Sequence, residues 1–145
     1  MRIALFSDVD FISAGRRERA LREAVRGFDP DLVFVAGDFL ERARATEDPQ
    51  TLAEAADWFR SLPAPGRRFL APGEQESAVL PSLRTRWGDG AIEILSNQSR
   101  RLDVRGERID LFVAHPGAEP APWSMGREDG RVFLFMRGRG HDQII

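Results

Sequence analysis

Short apolar runs alternate with amphipathic stretches along the first half of the chain. Residues 3–6 are apolar and stop at Ser7-Asp8, the pattern of a buried parallel strand. Residues 15–27 then predict a helix, with Ala20, Leu21, Ala24, Val25 and Phe28 at helical spacing. Asp29-Pro30-Asp31 predicts a turn. Residues 32–36 are a second all-apolar strand, closed by Gly37-Asp38. The polar stretch 41–49 predicts a loop. Residues 50–62 predict a helix with Leu52, Ala55, Ala56, Phe59 and Leu62 on one face, ended by Pro63-Ala64-Pro65-Gly66. Residues 68–71 predict a third strand, closed by Pro72-Gly73. This β-α-β-α-β series with short connections points to a parallel sheet in an α/β layered fold.

The second half changes character. Residues 77–87 predict a short helix interrupted by Pro81. Residues 92–95, 101–104 and 109–113 predict strands, with Gly106-Glu107 as a hairpin turn between the last two. Residues 132–136 predict one more strand, after a Pro- and Gly-bearing loop at 118–130. There is no internal repeat, low-complexity tract or linker, so 1–145 reads as a single domain, a size that suits one core.

Composition narrows the chemistry. There is no Cys, so disulfides, thiolate zinc sites and a Cys nucleophile are excluded. All 21 basic residues are Arg, which removes every mechanism needing a catalytic or P-loop Lys. The bias toward Arg fits codon composition as its plainest source. A net charge of −2 argues against a nucleic-acid-coating surface. No apolar run reaches the ~20 residues needed to span a bilayer, and the apolar start is too short for a signal peptide. A soluble cytoplasmic protein is the expectation.

Open α/β sheets bind ligands beyond the carboxyl ends of their strands. Those ends carry Ser7-Asp8-Val9-Asp10, Gly37-Asp38 and Gly73-Glu74-Gln75-Glu76. The strand at 109–113 leads to His115-Pro116-Gly117, and the chain closes with Gly140-His141-Asp142-Gln143. Both His residues of the protein therefore follow strand-like runs. Carboxylates and imidazoles gathered in one place call for a cation, and a mixed oxygen and nitrogen set suits Mn, Fe, Zn or Mg. Each feature has a plainer reading when taken alone. Asp8 or Asp10 would cap a helix, Gly37-Asp38 and Gly73-Glu74 would be turns, and His115 and His141 would be loop and tail residues. Their succession at strand end after strand end favours a site.

The order of these motifs resembles the calcineurin-like metallophosphoesterases. That family carries Asp-x-His, Gly-Asp, Gly-Asn-His-Asp/Glu, a later His and Gly-His-x-His, and the resemblance runs along essentially the whole chain. It implies a β-sandwich flanked by helices in α-β-β-α layers, with a two-metal site at the strand ends. It implies Asp8, Asp10, Asp38, Glu74, His115 and His141 as metal ligands, with Asp38 bridging. Asp10 stands where the family has His, Glu74 where it has Asn, and Gln143 where it has the last His. Gln75 occupies the slot of the catalytic His, and a carboxamide does not titrate near neutrality.

Two readings follow. In the first the chain is a metal-dependent phosphoesterase with a carboxylate-rich site for two divalent ions, or fewer. It would act on a small phosphoester or nucleotide. In the second it keeps the fold as a catalytically inactive binding or interaction protein. Relatives usually continue with further strands, which makes a homodimer covering the sheet edge an expectation. Asp8-Val9-Asp10 is also similar to the nucleophile motif of haloacid-dehalogenase phosphatases. Phe11-Ile12 departs from that motif, there is no Lys, and Gly37-Asp38 and both His would have no role.

Overall fold

The computed structural model describes residues 1–41, 48–64, 67–87, 90–114, 131–137 and 142–144, with backbone alone for Glu74, Ala114, 131–137 and 142–144. The chain divides into two compact units, Arg2–Ile94 and Leu95–Ile145 together with Met1.

The first unit is an α/β layer. Strands β1 (Ile3–Phe6), β2 (Leu32–Ala36), β3 (Arg67–Ala71) and β4 (Glu93–Ile94) lie in that order, all parallel. The crossovers carry α1 (Arg16–Phe28), α2 (Pro49–Arg60), and the pair α3 (Glu74–Ala78) and α4 (Leu80–Trp87). The central strand β2 is apolar at every position because both of its faces are buried. Val33 and Val35 share a core with Leu70, with Leu52, Ala55, Ala56 and Phe59 of α2, and with Leu83 and Trp87 of α4. Phe34 and Phe69, on the opposite face, stack with ring centroids 5.9 Å apart.

The ends of the helices follow local chemistry. Asp48 caps α2, accepting from the N–H groups of Gln50 and Thr51, and Pro49 follows at the first helical position. Asp29 ends α1 in the left-handed region, φ 51°, with its N–H bonded to the carbonyls of Val25 and Arg26. Among the described residues no helix is long and apolar enough to cross a membrane.

The second unit is a mixed sheet of β5 (Gln98–Val104), β6 (Glu107–Ala114), β7 (Arg131–Arg137) and β8 (Asp142–Ile144), in that order. β5 and β7 run antiparallel to β6 and β8 respectively, and β6 runs parallel to β7. Leu102, Ile109, Leu111 and Val113 are the buried residues of this sheet with described side chains.

Several sequence expectations move. The helix break falls at Val79, and Pro81 sits in the first turn of α4, where its missing N–H has no intrahelical partner to lose. The hairpin turn is Arg105-Gly106, both at positive φ, and Glu107 already pairs with Val104. β5 starts at Gln98, and the stretch 92–95 contributes only a two-residue strand. On α1 only Leu21 and Val25 of the expected apolar positions turn inward; Ala20, Ala24 and Phe28 are exposed. The α/β class expected from the sequence is present, as a four-stranded parallel sheet with its helices in one unit and a second four-stranded sheet in the other.

Candidate functional site at the strand ends

After β1 and β2 the chain does not diverge at once. The Asp8 N–H donates to the Gly37 carbonyl at 3.3 Å, and the Asp10 N–H to the Asp38 carbonyl at 3.2 Å. The Phe11 N–H reaches the Phe39 carbonyl at 2.7 Å, and the Glu41 N–H reaches the Phe11 carbonyl at 3.2 Å. Phe11 and Leu40 form a parallel bridge, and both are fully buried. The two acidic motifs are thus held side by side by backbone bonds and anchored by the core just beyond.

The backbone at these residues is unusual. Asp8, Asp10 and Asp38 have φ of 52°, 47° and 42°, and Gly37 has 79°. The left-handed region is uncommon for residues with a Cβ, although Asp enters it more readily than most because its short side chain bonds locally. Each such residue costs on the order of 1–3 kcal/mol, and such strain gathers at functional sites. Asp8 and Asp10 are exposed and Asp38 is half-buried. The Asp8 carboxylate accepts from the Ser7 hydroxyl at 2.6 Å. Among the described residues neither Asp8 nor Asp10 pairs with a cation.

Two loop-to-helix junctions are built alike. Gly15 precedes α1, and Glu18, three residues on, accepts from the Gly15 N–H at 3.0 Å. Gly73 precedes α3, and Glu76 accepts from the Gly73 N–H at 2.6 Å. A Cβ on Gly15 would lie 3.1 Å from the Glu18 carboxylate, so glycine makes room for the cap. Both glutamates are buried, at 6% and 0% exposure. Glu18 is also bonded by the Arg17 guanidinium, and that guanidinium donates to the carbonyls of Val9 and Asp10. Glu76 has no such cation among the described residues; its other oxygen accepts from the Leu40 N–H at 2.8 Å.

The two carboxyls are tuned in opposite directions. Burial drives the Glu18 pKa upward, but hydrogen bonds from its own N–H, Arg17 and Gly15 outweigh it, and the net shift is down. Burial raises the Glu76 pKa, and the charge of nearby Asp38 adds to it; the backbone N–H groups of Leu40, Gly73 and Glu76 oppose the rise without cancelling it.

A groove of about 560 Å³ opens beside Asp10, lined by Asp10, Ile12, Ser13, Arg17, Glu18 and Glu41. Its size is in the range of small-molecule sites. Ile12 is 51% exposed there, a large apolar side chain offered to solvent.

The structure therefore sets the backbone segments that carry Asp8, Asp10 and Asp38 side by side, and it places Glu74 and Gln75 in α3 at the end of β3. Gln75 is half-buried. His115 and His141 lie outside the described residues, as does Trp123 of the 118–130 loop. Among the described residues no three His, Asp or Glu side chains form a group that could hold a metal ion. Sequence reasoning missed Arg17 and the buried role of Glu76. The second had a signal, because glycine followed three residues later by glutamate occurs at both junctions.

No family model matches the chain, and no curated protein matches it. Solved structures do. The phosphopantetheinyl hydrolase of Mycobacterium tuberculosis superposes with a TM-score of 0.52 at 15% identity, covering 81% of this chain and 46% of that one. The nuclease MPE of Pseudomonas putida gives 0.49 at 21% identity, covering 92% and 59%. A protein of unknown function from Aquifex aeolicus gives 0.44 at 18%, covering 82% and 63%. The chain thus spans from about half to just under two thirds of these proteins' lengths. At such identity the likeness to the hydrolase is one of fold.

Proposed function

We propose that this chain is a metal-dependent phosphoesterase whose site is built on Asp8, Asp10, Asp38 and Glu74. The observation that carries the reading is the adjacent placement of three left-handed aspartates at the carboxyl ends of two parallel strands. Three such residues on two neighbouring strand ends go beyond the single left-handed non-glycine residues that end α1 and open the β5–β6 hairpin. The exposed carboxylates of Asp8 and Asp10, which pair with no cation among the described residues, fit a divalent ion as their partner. His115 and His141 belong to the proposal on their sequence motifs alone.

Bound divalent ions would supply an activated water and neutralise phosphoryl charge. The chain's own residues do the rest. The bonds between residues 8–11 and 37–39 hold Asp8, Asp10 and Asp38 in place before any ligand arrives. Arg17 fixes the carbonyls of Val9 and Asp10. The groove beside Asp10 receives the organic group of the ester, with Ile12 as its apolar contact and Ser13 and Glu41 as its hydrogen-bonding edge. Gln75 orients but does not exchange a proton, so esters with good leaving groups are the expected substrates.

A second reading, a binding module without catalysis, is favoured by Gln75 and by the lack of a three-ligand group among the described residues. One experiment separates the two. Metal-stripped protein is titrated with Mn by calorimetry and then offered a chromogenic phosphodiester. Heat of binding with turnover that Asp38→Ala abolishes supports the enzyme. Binding without turnover supports the module. No heat at millimolar Mn sinks the metal site.

A further inference from the structure

A buried carboxylate clamps each end of the parallel sheet. At the amino ends, Asp31 accepts from the Arg2 N–H at 2.7 Å and ties the start of β1 to that of β2. At the carboxyl ends, Glu76 takes the Leu40 N–H at 2.8 Å on one oxygen and the Gly73 N–H at 2.6 Å on the other. Leu40 belongs to the segment that carries Asp38, and Gly73 is the neighbour of Glu74. One carboxylate therefore sets the spacing between two of the loops assigned above to the metal.

We propose that Glu76 is a positioning residue for that site, holding the segment after β2 against the segment after β3 so that Asp38 and Glu74 are presented together. The inference rests on the metal-dependent reading. Capping alone does not account for the arrangement. The cap of a five-residue helix uses the Gly73 N–H only, whereas the Leu40 bond crosses to another loop 36 residues away. A carboxylate buried without a cation is also a costly way to cap so short an element. A shorter side chain reaches one amide but not both, and a carboxamide turns a donor toward one of two N–H groups. Residues that orient metal ligands from outside the ligand set are typically worth 10–100-fold in metal affinity.

The test uses the whole chain, stripped of metal and titrated with Mn by calorimetry, at a temperature where circular dichroism shows every variant folded. Glu76→Gln and Glu76→Asp are compared with Asp31→Asn, which weakens the equivalent clamp at the far end of the sheet. All three lower the melting temperature. The expected result is that both Glu76 variants weaken Mn binding by about 10–100-fold while Asp31→Asn leaves it unchanged. If Glu76→Gln does not fold, Glu76→Asp carries the same reading. Glu76 variants that bind Mn like the wild type, or an Asp31→Asn that weakens binding as much, overturn the proposal and leave the metal site standing. A wild type that takes up no Mn removes the metal reading and this proposal with it.

Discussion

At the scale of single residues, Glu18 and Glu76 occupy the same position in two similar junctions and yet are shifted in opposite directions. The main difference is burial, which outweighs the amide hydrogen bonds at Glu76 but is outweighed by hydrogen bonds at Glu18; the Arg17 guanidinium on Glu18 and, least, the Asp38 charge near Glu76 each act in the direction of the net shift. The sign for Glu18 is clear. Its folded pKa lies below its ordinary value of 4.5, so its contribution is complete above that pH and is lost as pH falls through the folded value. Glu18→Gln should lose stability at neutral pH and should lose less than the wild type on acidification below pH 4.5. Thermal melts across that range check it. The left-handed aspartates make a second prediction. Asn tolerates this backbone and Ala does not, so Asp38→Ala should cost about 1–2 kcal/mol more stability than Asp38→Asn. Both should lose Mn-dependent turnover, because neither keeps the carboxylate. Denaturant melts and a phosphodiester assay separate the two effects. The Asp-x-Asp and Gly-Asp motifs were legible in the sequence as acidic strand ends. Their positive φ was not, because nothing in a lone Asp announces which backbone region the neighbouring strand imposes.

At the scale of elements, the legible parts were those whose pattern is set by burial. β2 reads as apolar at every position because both faces are covered, and its bounds match the expectation. α1 shows where spacing misleads. Ala20, Ala24 and Phe28 form one stripe and Leu21 and Val25 the next, and only tertiary packing selects the second. The buried position one turn before Leu21 and two before Val25 belongs to Glu18, which a hydrophobicity pattern counts as surface. The sequence places the hairpin one residue late, with Gly106 first in the turn where the structure has it second. The turn needs φ above zero at both positions, and Arg105 supplies it at 50°. A Cβ at Gly106 meets no neighbour, so steric crowding plays no part there. Gly106→Ala should therefore destabilise by about 1 kcal/mol through backbone conformation alone. Arg105→Asn should raise stability slightly. Paired chemical denaturation curves with unchanged slope would show both.

At the scale of the whole molecule, the chain's apolar pattern specifies the parallel sheet, and a group of its acids falls at the carboxyl ends of β1 and β2. A periodicity argument reaches the parallel sheet because each strand must bury its side chains locally. It does not reach a metal site, because ligands distant in sequence are brought together only by the completed fold. The missing Lys and Cys removed whole mechanisms, yet could not say that the segments carrying Asp8, Asp10 and Asp38 run side by side; the backbone bonds between residues 8–11 and 37–39 show that. One measurement reads the assembled molecule directly. A ligand that binds the folded chain alone, at about 100 times its dissociation constant, stabilises by about 2.7 kcal/mol. For a chain near this length each kcal/mol moves the melting temperature by about 2–4 °C, so saturating Mn should raise it by about 5–11 °C. Asp38→Ala should abolish the rise, while Gly106→Ala, which lowers the starting point, should leave it intact. A rise of equal size in Asp38→Ala would place the metal elsewhere on the chain. No rise in the wild type would remove a divalent ion from the account of these three left-handed aspartates.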